Sequence, residues 1–292
     1  MTVLDVIQRS TQFLEKKAVE SPRLQAELLL AHLLKLPRMQ LYLNFERVLT
    51  EPELSAFREL VRRRSNREPL QYIVGSISFC GLEIAVNPHV LIPRPETELL
   101  AELAWTFLAQ SSRSDGSNNS ARTAALDFGT GSGCLAIVLA VKCPDVRIDA
   151  LDISSEALAV ARANANKHGV IERVQFIQGE SLSILPKEAA FDLITSNPPY
   201  IPTKEIETLQ AEVRDFEPHA ALDGGPDGLD YFRQLATEAH FCLRQGGKLM
   251  LEFGDGQSED IRKIFEAEKW IVETIRKDYN QRPRIITVLP NK

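Results

Sequence analysis

Between Val3 and Arg67 apolar residues recur at helical spacing: Leu24, Leu28, Leu29, Leu30, Leu33 and Leu34 form one broad stripe, and Leu54, Phe57, Leu60 and Val61 another. Glycine is absent from residues 1–74, and Pro22, Pro37 and Pro52 stand where helices would start or stop. The pattern predicts a small helical bundle whose leucines are core. Ser78–Val86 then alternates around Gly81, which predicts a short β-hairpin. A helix is expected from Pro95 or Glu96 to about Ala109, followed by a polar surface loop over Ser111–Ser120. From Thr123 onward strands alternate with helices. The strands are expected at Ala124–Phe128, Arg147–Asp152, Val174–Ile177, Phe191–Ser196, Lys248–Phe253, Ile271–Ile275 and Arg284–Leu289, with helices over Glu156–His168 and about Leu229–Leu243. Such alternation predicts an α/β fold, a doubly wound, mostly parallel seven-stranded sheet with helices on both faces. Three parts follow: a helical domain over 1–72, a linking hairpin over 73–92 and an α/β domain over 93–292.

Composition narrows the function classes. The 292 residues are 44% hydrophobic and 25% charged, and no run approaches the roughly 18 apolar residues of a membrane span. Met1–Val6 lacks a basic start followed by an apolar run, so a cytoplasmic protein is expected. Cys80, Cys134, Cys143 and Cys242 form no CxxC pair, which points away from a zinc site and a disulfide framework. The net charge of −6 is uneven: residues 1–70 carry 12 basic and 9 acidic side chains, leaving a net of −9 on 71–292. A large acidic domain is not the footprint of a protein that grips nucleic acid by its phosphates.

Two motifs carry chemistry. Asp127-Phe128-Gly129-Thr130-Gly131-Ser132-Gly133 lies between a predicted strand and a helix, where glycines let backbone approach a ligand. The dinucleotide pattern GxGxxG would need glycine where Cys134 stands, so the stretch suits an S-adenosylmethionine pocket better. Asp152, ending the next strand, is placed to hold ribose hydroxyls. Ser196-Asn197-Pro198-Pro199-Tyr200 follows the fourth strand of the α/β domain, and so shares the crevice at the C-terminal strand ends. Both proline rings fix the backbone, so the Asn197 side-chain oxygen and the Pro198 carbonyl can accept two hydrogen bonds from one planar –NH₂ group. Tyr200 offers an aromatic face for a flat amide or base. A structural role is expected for His89, His168, His219 and His240.

With these motifs the chain resembles class I methyltransferases that modify planar –NH₂ groups, and within them the HemK/PrmC family of release-factor glutamine N5-methyltransferases. Supporting stretches are Gln71–Gly75, Leu91–Glu98, Phe216-Glu217-Pro218 and Gly224–Leu229. The Arg94–Glu98 stretch separates the resemblance from the related ribosomal-protein glutamine methyltransferases. The resemblance implies methylation of the glutamine in the Gly-Gly-Gln loop of class 1 peptide chain release factors. S-adenosyl-L-methionine would be the donor, S-adenosyl-L-homocysteine the product, and no metal would take part. It implies that Asn197, Pro198, Pro199 and Tyr200 bind the substrate glutamine, with Asn197, Pro198 and Tyr200 catalytic. Gly129, Thr130, Gly131, Ser132, Gly133, Asp152 and Asn197 would bind the cofactor, with Glu180 and Ser181 beside the adenine. There the family usually carries Gly-Asp where this chain has Gly179-Glu180. Residues 1–72 would serve substrate recognition, and no membrane or direct nucleic-acid partner is implied.

Rival readings are an adenine-N6 methyltransferase on DNA or RNA, a methyltransferase acting on a ribosomal-protein glutamine, and a non-catalytic cofactor-binding protein. The first needs a basic channel for its strand. Residues 201–228 have little regular patterning and are expected to help cover the substrate. Arg62-Arg63-Arg64 with Arg67 is expected to be a solvated face, or else to meet an acidic surface of the protein substrate.

Overall fold

The computed structural model describes residues 1–114, 123–186 and 190–291, in two compact units. The first comprises Met1–Ser76 together with Gln210–Phe216. Its helices are α1 (Val3–Lys16), α2 (Pro22–Leu34), α3 (Arg38–Leu43), α4 (Glu51–Ser65) and α5 (Leu70–Val74). Thr2 with Asp5, and Thr50 with Glu53, form reciprocal capping boxes that start α1 and α4, satisfying otherwise orphaned N–H groups. Ile7, Leu14, Leu29, Leu30, Leu41 and Phe57 fill the core, whereas Leu24 faces out, so the leucine stripe on α2 is narrower than its spacing suggests.

Gln210–Phe216, which the sequence reading left inside the 93–292 domain, packs with this helical unit. The reason is electrostatic. Glu212 accepts from Arg64 at 2.7 Å and from Arg67 at 2.6 Å, and Arg64, almost fully buried, also donates to Gln25. Arg62 pairs with Glu59 and Arg63 with Glu68. The basic run is therefore neither a bare solvated face nor a free patch, because each of its four guanidinium groups already has a carboxylate within the unit.

The second unit opens with strands β1 (Ser76–Phe79) and β2 (Leu82–Ala85), whose turn residues Cys80 and Gly81 both take positive φ, as a tight hairpin requires. Asn164 holds the hairpin: it accepts from the Ala85 N–H and donates to the carbonyls of Ala85 and Ser132. Then come α6 (Pro95–Ser114), β3 (Ala124–Phe128), α7 (Cys134–Lys142), β4 (Arg147–Asp152), α8 (Ser155–Lys167), β5 (Val174–Gln178) and β6 (Phe191–Ser196). A short helix α9 (Ala211–Arg214) belongs to the first unit, and α10 (Asp230–Glu238), β7 (Leu243–Glu252), α11 (Ser258–Ala267), β8 (Trp270–Lys277) and β9 (Pro283–Pro290) complete the second.

The described residues place seven strands in one sheet, in the order β5-β4-β3-β6-β7-β9-β8, with β9 alone running antiparallel to its neighbours. This is the doubly wound, mostly parallel sheet expected. Three element boundaries differ by more than two residues. Helix α6 continues to Ser114, through the start of the expected polar loop, whose remainder lies outside the described residues. Helix α10 stops at Glu238, and β7 begins at Leu243, because Phe191 on β6 pairs with Leu243 across a register irregularity that takes in Gly246 and Gly247. No helix among the described residues is long and apolar enough to cross a membrane.

Candidate active site

Strand order reverses at β3, whose neighbours β4 and β6 are reached in opposite directions; ligands bind beyond the strand ends at such a point. Register does the rest. Phe128 pairs with Leu151 on one side and Ser196 on the other, and Asp152 pairs with Gln178. The residues that follow these pairs are Gly129, Asp152, Asn197 and Gly179, so four strands deliver their next residues to one edge. The Ser196 hydroxyl fastens β6 to β3 by donating to the Phe128 carbonyl at 2.6 Å.

A cavity of about 260 Å³ opens there. Gly129, Gly131, Asp152, Glu180, Asn197, Pro198 and Pro199 line it, with Pro88–Leu91 and Pro218, Ala220, Ala221 and Tyr231 as further wall. Seven of the sequence-predicted site residues are thus brought together. Gly129 and Gly131 take φ of +70° and +54°, conformations open to glycine, and nothing stands where a Cβ would be. Asp152 accepts from the Gly131 N–H at 2.7 Å and from the Ser154 N–H at 2.9 Å. Burial pushes its carboxyl above the ordinary value, and those N–H groups pull it back. The N–H groups of Gly129 and Thr130 both donate to the Leu151 carbonyl. The turn is therefore stitched to the end of β4.

Five predicted residues do not line the cavity. Thr130 is buried and donates to Asp127 at 2.7 Å. Ser132 is buried, its carbonyl held by Asn164. Gly133 lets α7 approach α8, since a Cβ there would press on Ala161 and Ile137 at 3.0 Å. The Ser181 hydroxyl turns to Ser183 and Glu238. Tyr200 packs its ring against the apolar core beside the sheet, where burial raises its phenol to about 12 and keeps it neutral.

Several residues that build the site gave no separate signal in the sequence. Glu217 is buried and accepts from Arg94 at 2.7 Å and from the Ile92 N–H at 3.4 Å, clasping the two wall segments on either side of it in the chain. Burial raises its carboxyl against the pull of Arg94. Gln257 donates to the Tyr200 carbonyl at 2.8 Å and accepts from the Gly254 N–H at 2.9 Å, which pins the Asn-Pro-Pro-Tyr loop. Thr97, on α6, accepts from Asn197 Nδ2 at 3.1 Å. The only trace of these in the sequence was that Arg94, Thr97 and Glu217 fall in the stretches that carry the family resemblance.

His89, Ser154 and Tyr231 also line the cavity. Cys80 and Cys134 are free thiols raised well above the ordinary range by burial, Cys80 to about 12. Among the described residues no three His, Cys, Asp or Glu side chains converge. The cavity thus brings together the buried Asp152 carboxyl, the glycine backbone at 129 and 131, and the Asn197–Pro199 loop.

Residues 5–75 match the family model described as PrmC N-terminal domain, and residues 110–215 match the methyltransferase small domain. The release factor glutamine methyltransferase of Chlorobaculum tepidum is 44% identical over 286 residues, covering 97% of this chain and 95% of that protein. That of Geobacter sulfurreducens is 44% identical over 264 residues, covering 90% and 88%. Among solved structures, a methyltransferase from Pyrococcus furiosus aligns with a TM-score of 0.52 at 21% identity, over 72% of this chain and 90% of that one. The hMettl16 catalytic domain aligns at 0.54 and 12% identity, over 82% and 81%. Likeness at those identities shows a shared methyltransferase fold and no more. The relatives that match at 44% do so across nearly the full length of both chains, and on that basis the chain belongs to the release factor glutamine methyltransferase family.

Proposed function

We propose that the chain methylates N5, the side-chain amide nitrogen, of the glutamine in the Gly-Gly-Gln loop of class 1 release factors, with S-adenosyl-L-methionine as donor. The observation that carries this reading is the shared register of β3, β4, β5 and β6, which puts Asp152 and the Asn197–Pro199 loop into one cavity. The names of the relatives support the choice of acceptor.

The residues present fit the donor. Asp152 is a buried carboxylate on the cavity wall, able to accept from ribose hydroxyls, and Gly129 and Gly131 leave the floor clear of side chains. Glu180 lies at the same end of the cavity, two residues past the register partner of Asp152, and takes the position by the adenine; Ser181 contributes through its bonds to Ser183 and Glu238. Thr130, Ser132 and Gly133 act by holding the turn in shape. Bound there, S-adenosyl-L-methionine supplies an electrophilic sulfonium methyl group for in-line displacement.

An amide nitrogen is a poor nucleophile because its lone pair is delocalised into the carbonyl. Asn197 Oδ1 and the Pro198 carbonyl accept its two N–H groups, which turns the nitrogen toward the methyl and opposes that delocalisation. Orientation of this kind removes at most about 7–11 kcal/mol of a bimolecular barrier. The product nitrogen sheds its extra proton to water, so the chain needs no dedicated base. Pro199 stiffens the loop and Tyr200 anchors it, through a ring seated in the core and a carbonyl held by Gln257. Pro218, Ala220 and Ala221, from the 201–228 segment, wall the cavity.

The test is Asn197→Ala. Turnover of a release factor substrate should fall by on the order of 10²-fold or more, with the protein's melting temperature little changed. A near-normal kcat would overturn the orientation mechanism.

A further inference from the structure

We infer that Thr97 and Glu252 form a positioning relay that fixes which end of the Asn197 carboxamide faces the substrate, an inference that rests on the acceptor role proposed for Asn197. Three side chains from three segments stand in line. Asn197 Nδ2 donates to Thr97 Oγ1 at 3.1 Å, and the Thr97 hydroxyl donates to Glu252 Oε2 at 2.7 Å. Thr97 and Glu252 are each 1% exposed, and neither lines the cavity.

The direction of these bonds follows from counting protons. A threonine hydroxyl has one proton and two lone pairs, and Glu252, whose carboxyl burial raises to about 7 against the pull of Thr97 and Arg284, can only accept once it is ionised, above that pH. With its proton committed to Glu252, Thr97 has only a lone pair to offer Asn197. Of the two ends of the carboxamide, only the –NH₂ can use it. Turning Nδ2 toward Thr97 leaves Oδ1 as the end available to a ligand. A flipped carboxamide would set –NH₂ against the substrate –NH₂, donor against donor, and would leave a buried Thr97 lone pair facing an oxygen. A buried polar group without its partner carries an unrecovered desolvation penalty, so the relay selects one orientation.

This accounts for two features that the mechanism above leaves unused. A buried carboxylate at the end of β7, after the apolar run Leu249-Met250-Leu251, is costly unless something needs it. A threonine buried in the first turn of α6 has its hydroxyl bonded across to two other segments instead of to its own helix. Neither residue of the pair lines the cavity, so it can orient the carboxamide without touching substrate.

The experiment compares the wild type with Thr97→Val, Thr97→Ser, Asn197→Ala and the double variant Thr97→Val/Asn197→Ala. Each is checked for melting temperature and S-adenosyl-L-methionine affinity, then assayed in single turnover on a release factor well above pH 7, where Glu252 is ionised. Thr97→Val, nearly isosteric, should lower the rate on the order of 10²-fold with cofactor affinity unchanged, and Thr97→Ser should restore it. In the Asn197→Ala background Thr97→Val should cost nothing more, because Thr97 acts only through Asn197. An equal loss in both backgrounds, or a normal rate for Thr97→Val, would overturn the relay. A second readout does not depend on the acceptor. In side-chain ¹H–¹⁵N spectra the Asn197 –NH₂, identified by its loss in Asn197→Ala, should exchange slowly with solvent in the wild type and faster in Thr97→Val. Equal exchange in the two proteins would also overturn the relay. A wild type that methylates no release factor, yet keeps the slow exchange, would defeat the proposed function and leave the relay standing.

Discussion

Asp127 sits beneath the glycine-rich turn, accepting from the Thr130 hydroxyl at 2.7 Å and the Thr195 hydroxyl at 3.4 Å. Burial raises its carboxyl to about 7, against the pull of these donors and the Ala136 N–H. In an unfolded chain an aspartate gives up its proton near pH ~4. Between there and about pH 7 the folded protein holds a proton that the unfolded chain has released. The contribution of Asp127 to stability is therefore largest at low pH, falls as pH rises through this window, and levels off above it. Melting temperatures of the wild type and Asp127→Asn, compared from roughly pH 5 to pH 8, should show the wild type losing ground to the variant as pH rises to about 7. A gap that stays constant with pH would mean that Asp127 is ionised in the fold. The sequence showed Asp127 as the first letter of a motif and Asn197 as the head of another. It could not show Thr195 beneath the first or Thr97 behind the second, because a partner 68 or 100 residues away leaves no local periodicity.

At the scale of elements, the strands were legible because each is a short apolar run bounded by turn residues, and the site was legible because its motifs sit at strand ends. Less legible was how the Asn-Pro-Pro-Tyr loop is braced. Ile201 and Asp223–Gly228 brace it: Ile201 and Asp223 form a parallel bridge, the Gly224 N–H donates to the Ile201 carbonyl, and Gln257 reaches both Tyr200 and Gly228. This brace needs glycine. Gly228 has φ +78°, and a Cβ there would run into the Tyr200 carbonyl; Gly169 has φ +67° but open space around it. Gly169→Ala should cost only the intrinsic penalty of a left-handed residue, about 1–2 kcal/mol, and leave kcat unchanged. Gly228→Ala should cost more, and should lower kcat as the loop shifts. Chemical denaturation and steady-state rates on both variants check this, and equal effects would contradict the bracing role. The ends of α6, α10 and β7 escaped the sequence reading for a plain reason. Gln110-Ser111-Ser112 carries no apolar stripe and Gly246-Gly247 reads as a turn, yet α6 continues through the first and pairing with β6 carries β7 through the second.

For the whole molecule, the fold alone does not choose the acceptor, since the hMettl16 catalytic domain, solved in complex with an RNA hairpin, shares it at 12% identity. Charge gives more direction. Residues 71–292 carry a net of −9, and the run Arg62–Arg64 with Arg67 is already paired with carboxylates of its own unit. Neither feature supplies the free basic surface on which a duplex or a single strand would lie. The proposed acceptor is a protein amide, whose planar –NH₂ Asn197 and Pro198 would hold. The most direct test incubates the protein with methyl-labelled S-adenosyl-L-methionine and three acceptors in parallel: a class 1 release factor, the same factor with its Gly-Gly-Gln glutamine replaced by alanine, and duplex DNA. Label on the intact factor alone is the predicted result. Label on DNA, or equal label on both forms of the factor, would contradict the account.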